Sequence, residues 1–208
     1  MTTDVQPRFG AADIDLVRKE AAFQGYFRID RYTLRHRLMD GGWSKPITRE
    51  LFERGHAVAV LPYDPVRDEV VLVRQFRVGP YAAGDQAWTI EVPAGIIEEG
   101  ESPAEVGARE LEEEAGLRPI GSLERLMRCF VSPGGTSETF ELFVGRVDTS
   151  GAGGVFGVED EGEDIQVLVW PFAEAMAAIE DGRIVTVPAI VGIQWLALNR
   201  AKLQQRWG

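Results

Sequence analysis

Glu110, Glu113 and Glu114 place three carboxylates at the end of one segment, close enough to act on a common partner. The segment reads as a helix over residues 103–115. Ser102, Pro103 and Glu105 supply a hydroxyl N-cap, a proline at the first helical position and a glutamate placed for a capping box, and Gly116 supplies the stop. Ala104, Ala108, Leu111 and Ala115 form an apolar stripe at helical spacing, predicted to pack on a sheet. At about 100° per residue, Glu110 and Glu114 lie only about 40° apart, with Glu113 near them. Like charges four residues apart destabilise a helix by a few tenths of a kcal/mol, and carboxylates in the last turn oppose the negative end of its dipole. A solvated acidic face is the plain reading of such a run. Stability alone would favour lysine there, whereas a cluster of hard oxygen donors suits Mg²⁺ or Mn²⁺ held jointly with substrate phosphates.

Charge is clustered elsewhere too. Residues 95–117 hold eight acidic side chains against one basic, a net of -7, and residues 159–164, EDEGED, add five carboxylates. Just before that knot, residues 151–157 contain four glycines. A glycine-rich lid that delivers an acid or base on closure fits this order, against the alternative of a solvated acidic loop. Residues 26–54 run the other way, with seven basic side chains against four acidic ones, a net of +3 that suits an anionic ligand. The formal charge of the whole chain, -11, argues against a nucleic-acid partner. The two histidines, His36 and His56, read as structural, and the single cysteine, Cys129, reads as core. No disulfide framework, cysteine-based zinc site or serine, cysteine and histidine constellation is available.

Several elements must position these groups. The 208 residues, 45% apolar, suffice for one sizeable core or a core with an appendage. Residues 23–38, rich in aromatic and β-branched side chains among arginines, predict two short strands of a separate N-terminal element, assigned to residues 1–50. Residues 51–208 form the main domain. Within it HAVAVLP from His56 and VVLVRQF from Val70 flank the turn-forming YDPVRDE and predict a hairpin. Further strands are predicted over residues 88–92, 123–131, 139–147 and 165–169, and helices over residues 173–180 and 188–202. Apolar residues cover nearly the whole circumference of the last helix, which predicts deep packing. This order of strands and helices predicts a mixed α/β sandwich rather than an alternating parallel sheet. No apolar run reaches the roughly 18–20 residues of a membrane span, and the first ten residues lack a signal-peptide pattern, so a cytoplasmic location without membrane contact is expected.

At residues 95–117, GIIEEGESPAEVGARELEEEAGL, the sequence resembles the Nudix box at all nine fixed or class-restricted positions. The resemblance implies a Nudix-type α/β/α sandwich with a mixed sheet, whose helix presents Glu110, Glu113 and Glu114 to two or three Mg²⁺ ions, with the Ala94 carbonyl as a further ligand. Arg109 would orient the glutamates and Glu101 would support it, while Gly95 and Gly116 would serve the backbone turns. Segments outside the box, RELFERGHAVAVLPYDPVRDEVVLVRQFR, SPGGTSE, EVPAG and GVEDEGEDI, resemble the bacterial ADP-ribose pyrophosphatase subgroup over most of the chain. That likeness implies a homodimer whose N-terminal strands exchange across it and help clamp the adenine of the neighbouring subunit's substrate. Phe27 would stack on the adenine, Arg49 and Arg77 would face the phosphates or base, and Glu138 would hold a ribose or the adenine end. Glu161 would be the general base and Glu163 a further metal ligand, with Glu113 in reserve as the base. The implied reaction is Mg²⁺-dependent hydrolysis of ADP-ribose to AMP and ribose 5-phosphate. The alternatives are the same chemistry on GDP-mannose or ADP-glucose, and a module that senses ADP-ribose without cleaving it.

Overall fold

A computed structural model describes residues 9–158, 160 and 162–208, in two compact units. The first contains an antiparallel meander of β1 (Ile14–Gln24), β2 (Arg28–His36) and β3 (Ile47–Glu53). The segment Ser132–Glu138 belongs to it: the Phe52 N–H donates to the Gly135 carbonyl at 2.8 Å, and the Thr136 hydroxyl donates to the Phe52 carbonyl at 2.9 Å. The two short strands expected over residues 23–38 are corrected. A single strand, β2, takes up most of that span, and its partner β1 begins at Ile14. β1 is exposed along most of its length and bulges twice, so no apolar alternation marked it. Ion pairs bind the meander together. Asp30, buried, faces Lys19 at 3.0 Å and Arg28 at 2.9 Å, Arg31 meets Glu50 at 2.8 Å, and Arg35 meets Asp15. Arg28, Arg31, Arg35, Arg37 and Arg54 each sit within 4 Å of a carboxylate, so most of the basic surplus read from residues 26–54 is compensated locally.

The second unit is built on β4 (His56–Asp64), β5 (Glu69–Phe76), β6 (Trp88–Glu91), β7 (Ala94–Ile97), β8 (Glu124–Phe130), β9 (Thr139–Arg146), β10 (Gly154–Phe156) and β11 (Ile165–Pro171). Its path is β10-β11-β5-β4-β9-β8, with β6 on β5 and β7 on β4. β4 and β9 run parallel and the other pairs antiparallel, so the sheet is mixed. Val58 and Val60 point to α2 (Pro103–Ala115), packing with Val106 and Leu111. Ala59, Leu61 and Tyr63 point the opposite way, to α3 (Phe172–Glu180) and α4 (Val187–Trp207), packing with Ala175, Ala189, Ile193 and Leu196. A strand buried on both faces must be apolar throughout, which explains HAVAVLP. The result is the α/β/α sandwich with a mixed sheet expected from the sequence.

Where β4 and β5 part defines the site. They share only two register pairs, Tyr63 with Val70 and Asp64 with Glu69, before separating to pair with β7 and β6. Asp64 fixes the turn by accepting from the backbone N–H groups of Val66 and Arg67 and from both the N–H and hydroxyl of Thr149.

Other helical details depart from expectation. Ser102 makes no side-chain cap bond, so the capping box is absent; Pro103 at the first turn and Gly116 in the left-handed conformation, φ 65°, delimit α2. Val106 and Gly107 are buried while Ala108 is only half-buried, because the stripe facing the sheet is rotated toward Glu114. α4 runs to Trp207 and buries one face, through Ala189, Gly192, Ile193, Leu196 and Leu203, while Leu198 is 83% exposed. Three strands, β3, β7 and β10, and the short α1 (Val78–Ala82) went unforeseen, all but β3 being too short for periodicity to show.

Candidate active site

α2 carries its acidic side chains to the gap between β4 and β5. Glu114 is 2% exposed: its Oε2 accepts the Ala94 N–H at 3.0 Å and its Oε1 accepts from Gln75 Nε2 at 3.4 Å. Burial, with the charges of Glu110 and Glu163 adding to it, pushes the carboxyl up to about 8 despite the Ala94 bond and the nearby Arg77. Glu110 is also raised, first by burial and then by Glu113. Its carboxylate lies against Gly95, where an added Cβ would overlap Glu110 Oε1. The first glycine of the segment is therefore required for close approach, which goes beyond the turn role read from the sequence. Glu113 is exposed on the same last turn.

Arg109 bridges the two ends of the segment, reaching Glu101 at 3.2 Å and Glu110 at 3.5 Å, and Glu101 in turn accepts the Glu98 N–H at 2.9 Å. Glu163 accepts the Val158 N–H at 3.0 Å, and its charge is felt by Glu110, Glu114 and Arg77. Glu161 lies outside the described residues. Carboxylates that raise one another's pKa, one of them fully buried, fit a hard divalent cation in chemistry and charge. Among the described residues no three of them already stand as a closed ligand set.

Around the expected Arg77, just past β5, stand Gln75, Thr89 and Glu91, side chains of β5 and β6 that sequence reasoning missed. Arg77 Nε and Nη2 donate to Glu91 Oε1 and Oε2, each at 3.1 Å, and the Thr89 hydroxyl donates to Glu91. Gln75 and Thr89 are opposite one another in register. The only signal was the interruption of two apolar strands by polar residues: Gln75 in VVLVRQF, Thr89 and Glu91 in WTIEV.

A second cluster stands in the meander unit. The Phe27 ring packs edge-on against Phe52 at 5.2 Å, and Arg54 lies over it at 5.5 Å. Arg54 also meets the buried Glu138 at 3.5 Å. Phe52 and Arg54, which the sequence reading passed over, thus tie Phe27 to Glu138. Arg49 is exposed and donates to the neighbouring Thr48 carbonyl.

A family model for the NUDIX domain matches residues 53–189. The chain belongs to the Nudix family. It is 43% identical over 199 residues to an ADP-ribose pyrophosphatase of Escherichia coli (strain K12), covering 96% of this chain and 95% of that protein. A GDP-mannose pyrophosphatase of Pectobacterium atrosepticum is 36% identical over 178 residues, covering 84% of this chain and 89% of that one. The crystal structure of an ADP compounds hydrolase shares the fold, with a TM-score of 0.69 at 22% identity over 94% of this chain and 96% of that one. Nudix hydrolases in general use divalent cations such as Mg²⁺. In this Nudix chain the box is the strand, turn and helix that place Glu110 over Gly95 and Glu114 under the Ala94 N–H.

Proposed function

We propose that this Nudix enzyme hydrolyses the pyrophosphate bond of ADP-ribose to AMP and ribose 5-phosphate, with Mg²⁺ as the working cation. The near-full-length likeness to a pyrophosphatase of that name carries the substrate, and the buried Glu114 beside Arg77 carries the chemistry. Held there, Mg²⁺ would supply charge neutralisation for the diphosphate and a lowered pKa for a water. Glu110, Glu114, Glu163 and the Ala94 carbonyl would hold the ions, and Arg109 keeps Glu110 in place. Arg77 contributes a guanidinium to the phosphates. Glu161 takes the proton from the attacking water, with Glu113 as the alternative base. Phe27 stacks on the adenine of the neighbouring subunit's substrate, with Glu138 and Arg49 as polar partners, which gives the meander unit its role as substrate clamp across a dimer.

The test is a panel of nucleotide sugars with products identified. ADP-ribose should exceed GDP-mannose in kcat/KM by at least about tenfold, the discrimination expected from one or two base contacts. Equal rates would reassign the chain to a broader nucleotide-sugar hydrolase, and no turnover of any member would remove the catalytic reading.

A further inference from the structure

We propose that Glu91 is a positioning residue for Arg77: it grips one edge of the guanidinium so that the other edge faces the substrate's diphosphate. The inference rests on the reading of Arg77 as a phosphate contact and adds the group that aims it. Arg77 follows β5 directly, where its N–H donates to the Ala87 carbonyl at 2.7 Å, so its backbone is fixed while its long side chain is not. Its guanidinium feels Glu114 and Glu163 as well as Glu91. Left to itself, such a cation would fold onto the nearest metal-binding carboxylate and compete there with the ion. Glu91 removes that option with a fork of two bonds, both 3.1 Å, to Nε and Nη2. Two of five N–H donors are then committed and three, including both on Nη1, remain for phosphate oxygens. The grip is held in turn, since the carboxylate of Glu91 is largely buried and accepts from the buried Thr89 on the same face of β6. Among the described residues the Glu91 carboxylate takes its side-chain bonds from Arg77 and Thr89, so its role is separable from metal binding.

The experiment compares Arg77→Ala, Arg77→Lys, Glu91→Gln, Thr89→Val and Glu91→Gln with Arg77→Lys, using the full chain with Mg²⁺ and ADP-ribose. Glu91→Gln should raise KM by about tenfold, the scale on which supporting partners act, with Tm and the Mg²⁺ concentration for half-maximal activity unmoved. In the Arg77→Lys background the same change should add little, because the fork is already lost. Thr89→Val should raise KM in the same direction by less, and it decides the matter if Glu91→Gln fails to fold. A parental KM in the foldable variant while Arg77→Ala is impaired overturns the proposal and leaves Arg77 in place. So do additive effects of Glu91→Gln and Arg77→Lys, or a loss that follows Tm. If Arg77→Ala itself is silent, the phosphate reading of Arg77 fails, and the positioning role with it.

Discussion

Glu114 is a carboxyl that burial makes costly to ionise, a cost that a bound cation would offset. Burial raises it from 4.5 to about 8, and an acid so raised holds its proton more tightly folded than unfolded. Below pH 4.5 both states are protonated and the group is neutral to stability. Between 4.5 and about 8 the unfolded chain releases the proton first, so the fold loses up to about 1.4 kcal/mol per pH unit; above that window the loss is complete. Glu110 is shifted in the same direction and steepens the slope. With divalent ions chelated, Tm should therefore fall as pH rises through this window. Saturating Mg²⁺ should flatten the curve by binding only the folded state, and Glu114→Gln should remove most of the slope. A chelated protein whose Tm ignores pH there would show that Glu114 is not buried as described. Kinetics separates two further carboxylates. Glu161→Gln should lower kcat by roughly 10²–10⁴ with the Mg²⁺ requirement unchanged, whereas Glu163→Gln should raise that requirement and be partly rescued by excess metal. If Glu161→Gln keeps more than about a tenth of kcat while Glu113→Gln abolishes it, the base sits on α2.

At the scale of the element, α2 can present its carboxylates only because it lies very close to the sheet. A Cβ at Gly107 would come within 2.9 Å of Val60 Cγ2 and 3.2 Å of Val58 Cγ2, so Gly107→Ala must push the helix outward or distort two buried valines. Such overpacking costs about 1–3 kcal/mol, which urea denaturation would register. The displaced helix should also need more Mg²⁺; an undiminished midpoint would mean the interface yields easily. This contact also shows where sequence legibility stops. The ends of α2 and the grouping of its glutamates follow from local rules, since helical phase and a terminal glycine depend on neighbours in the chain. Gly107, Gly95 and Gln75 take their meaning from partners on other elements, 15 to 49 residues away, and nothing in their own neighbourhood announces it. Ser102 shows the converse: a sound local capping signal that the fold leaves unused. The longer strands of the main sheet are readable as apolar runs, β7 and β10 are too short to show one, and β1 shows none because a ribbon exposed on both faces has no core to alternate toward.

The chain as a whole carries a net charge of -11, enough to oppose indiscriminate association, yet large apolar side chains stay exposed in both units. Ile14, Leu16, Val17 and Phe23 are more than half exposed on β1, as are Phe76, Val78, Tyr81 and Trp88 around the end of β5, α1 and β6. Phe76 and Trp88 stack edge-on at 5.5 Å, so those two at least share one exposed surface of the second unit. Contiguous apolar surface of this kind marks an interaction site more often than a solvated face. The buried face of α4 packs within its own unit, while Val187 and Leu198 on the same helix stay exposed. A homodimer is the expected outcome, with a mass near 46.0 kDa, twice 23.0 kDa, by light scattering at micromolar concentration. Tyr81→Glu with Trp88→Glu should shift the mass toward 23.0 kDa without lowering the thermal midpoint of the isolated fold, because neither ring is buried. A parental mass near 23.0 kDa would remove the dimer, and Phe27 would then have to meet its adenine from within a single chain.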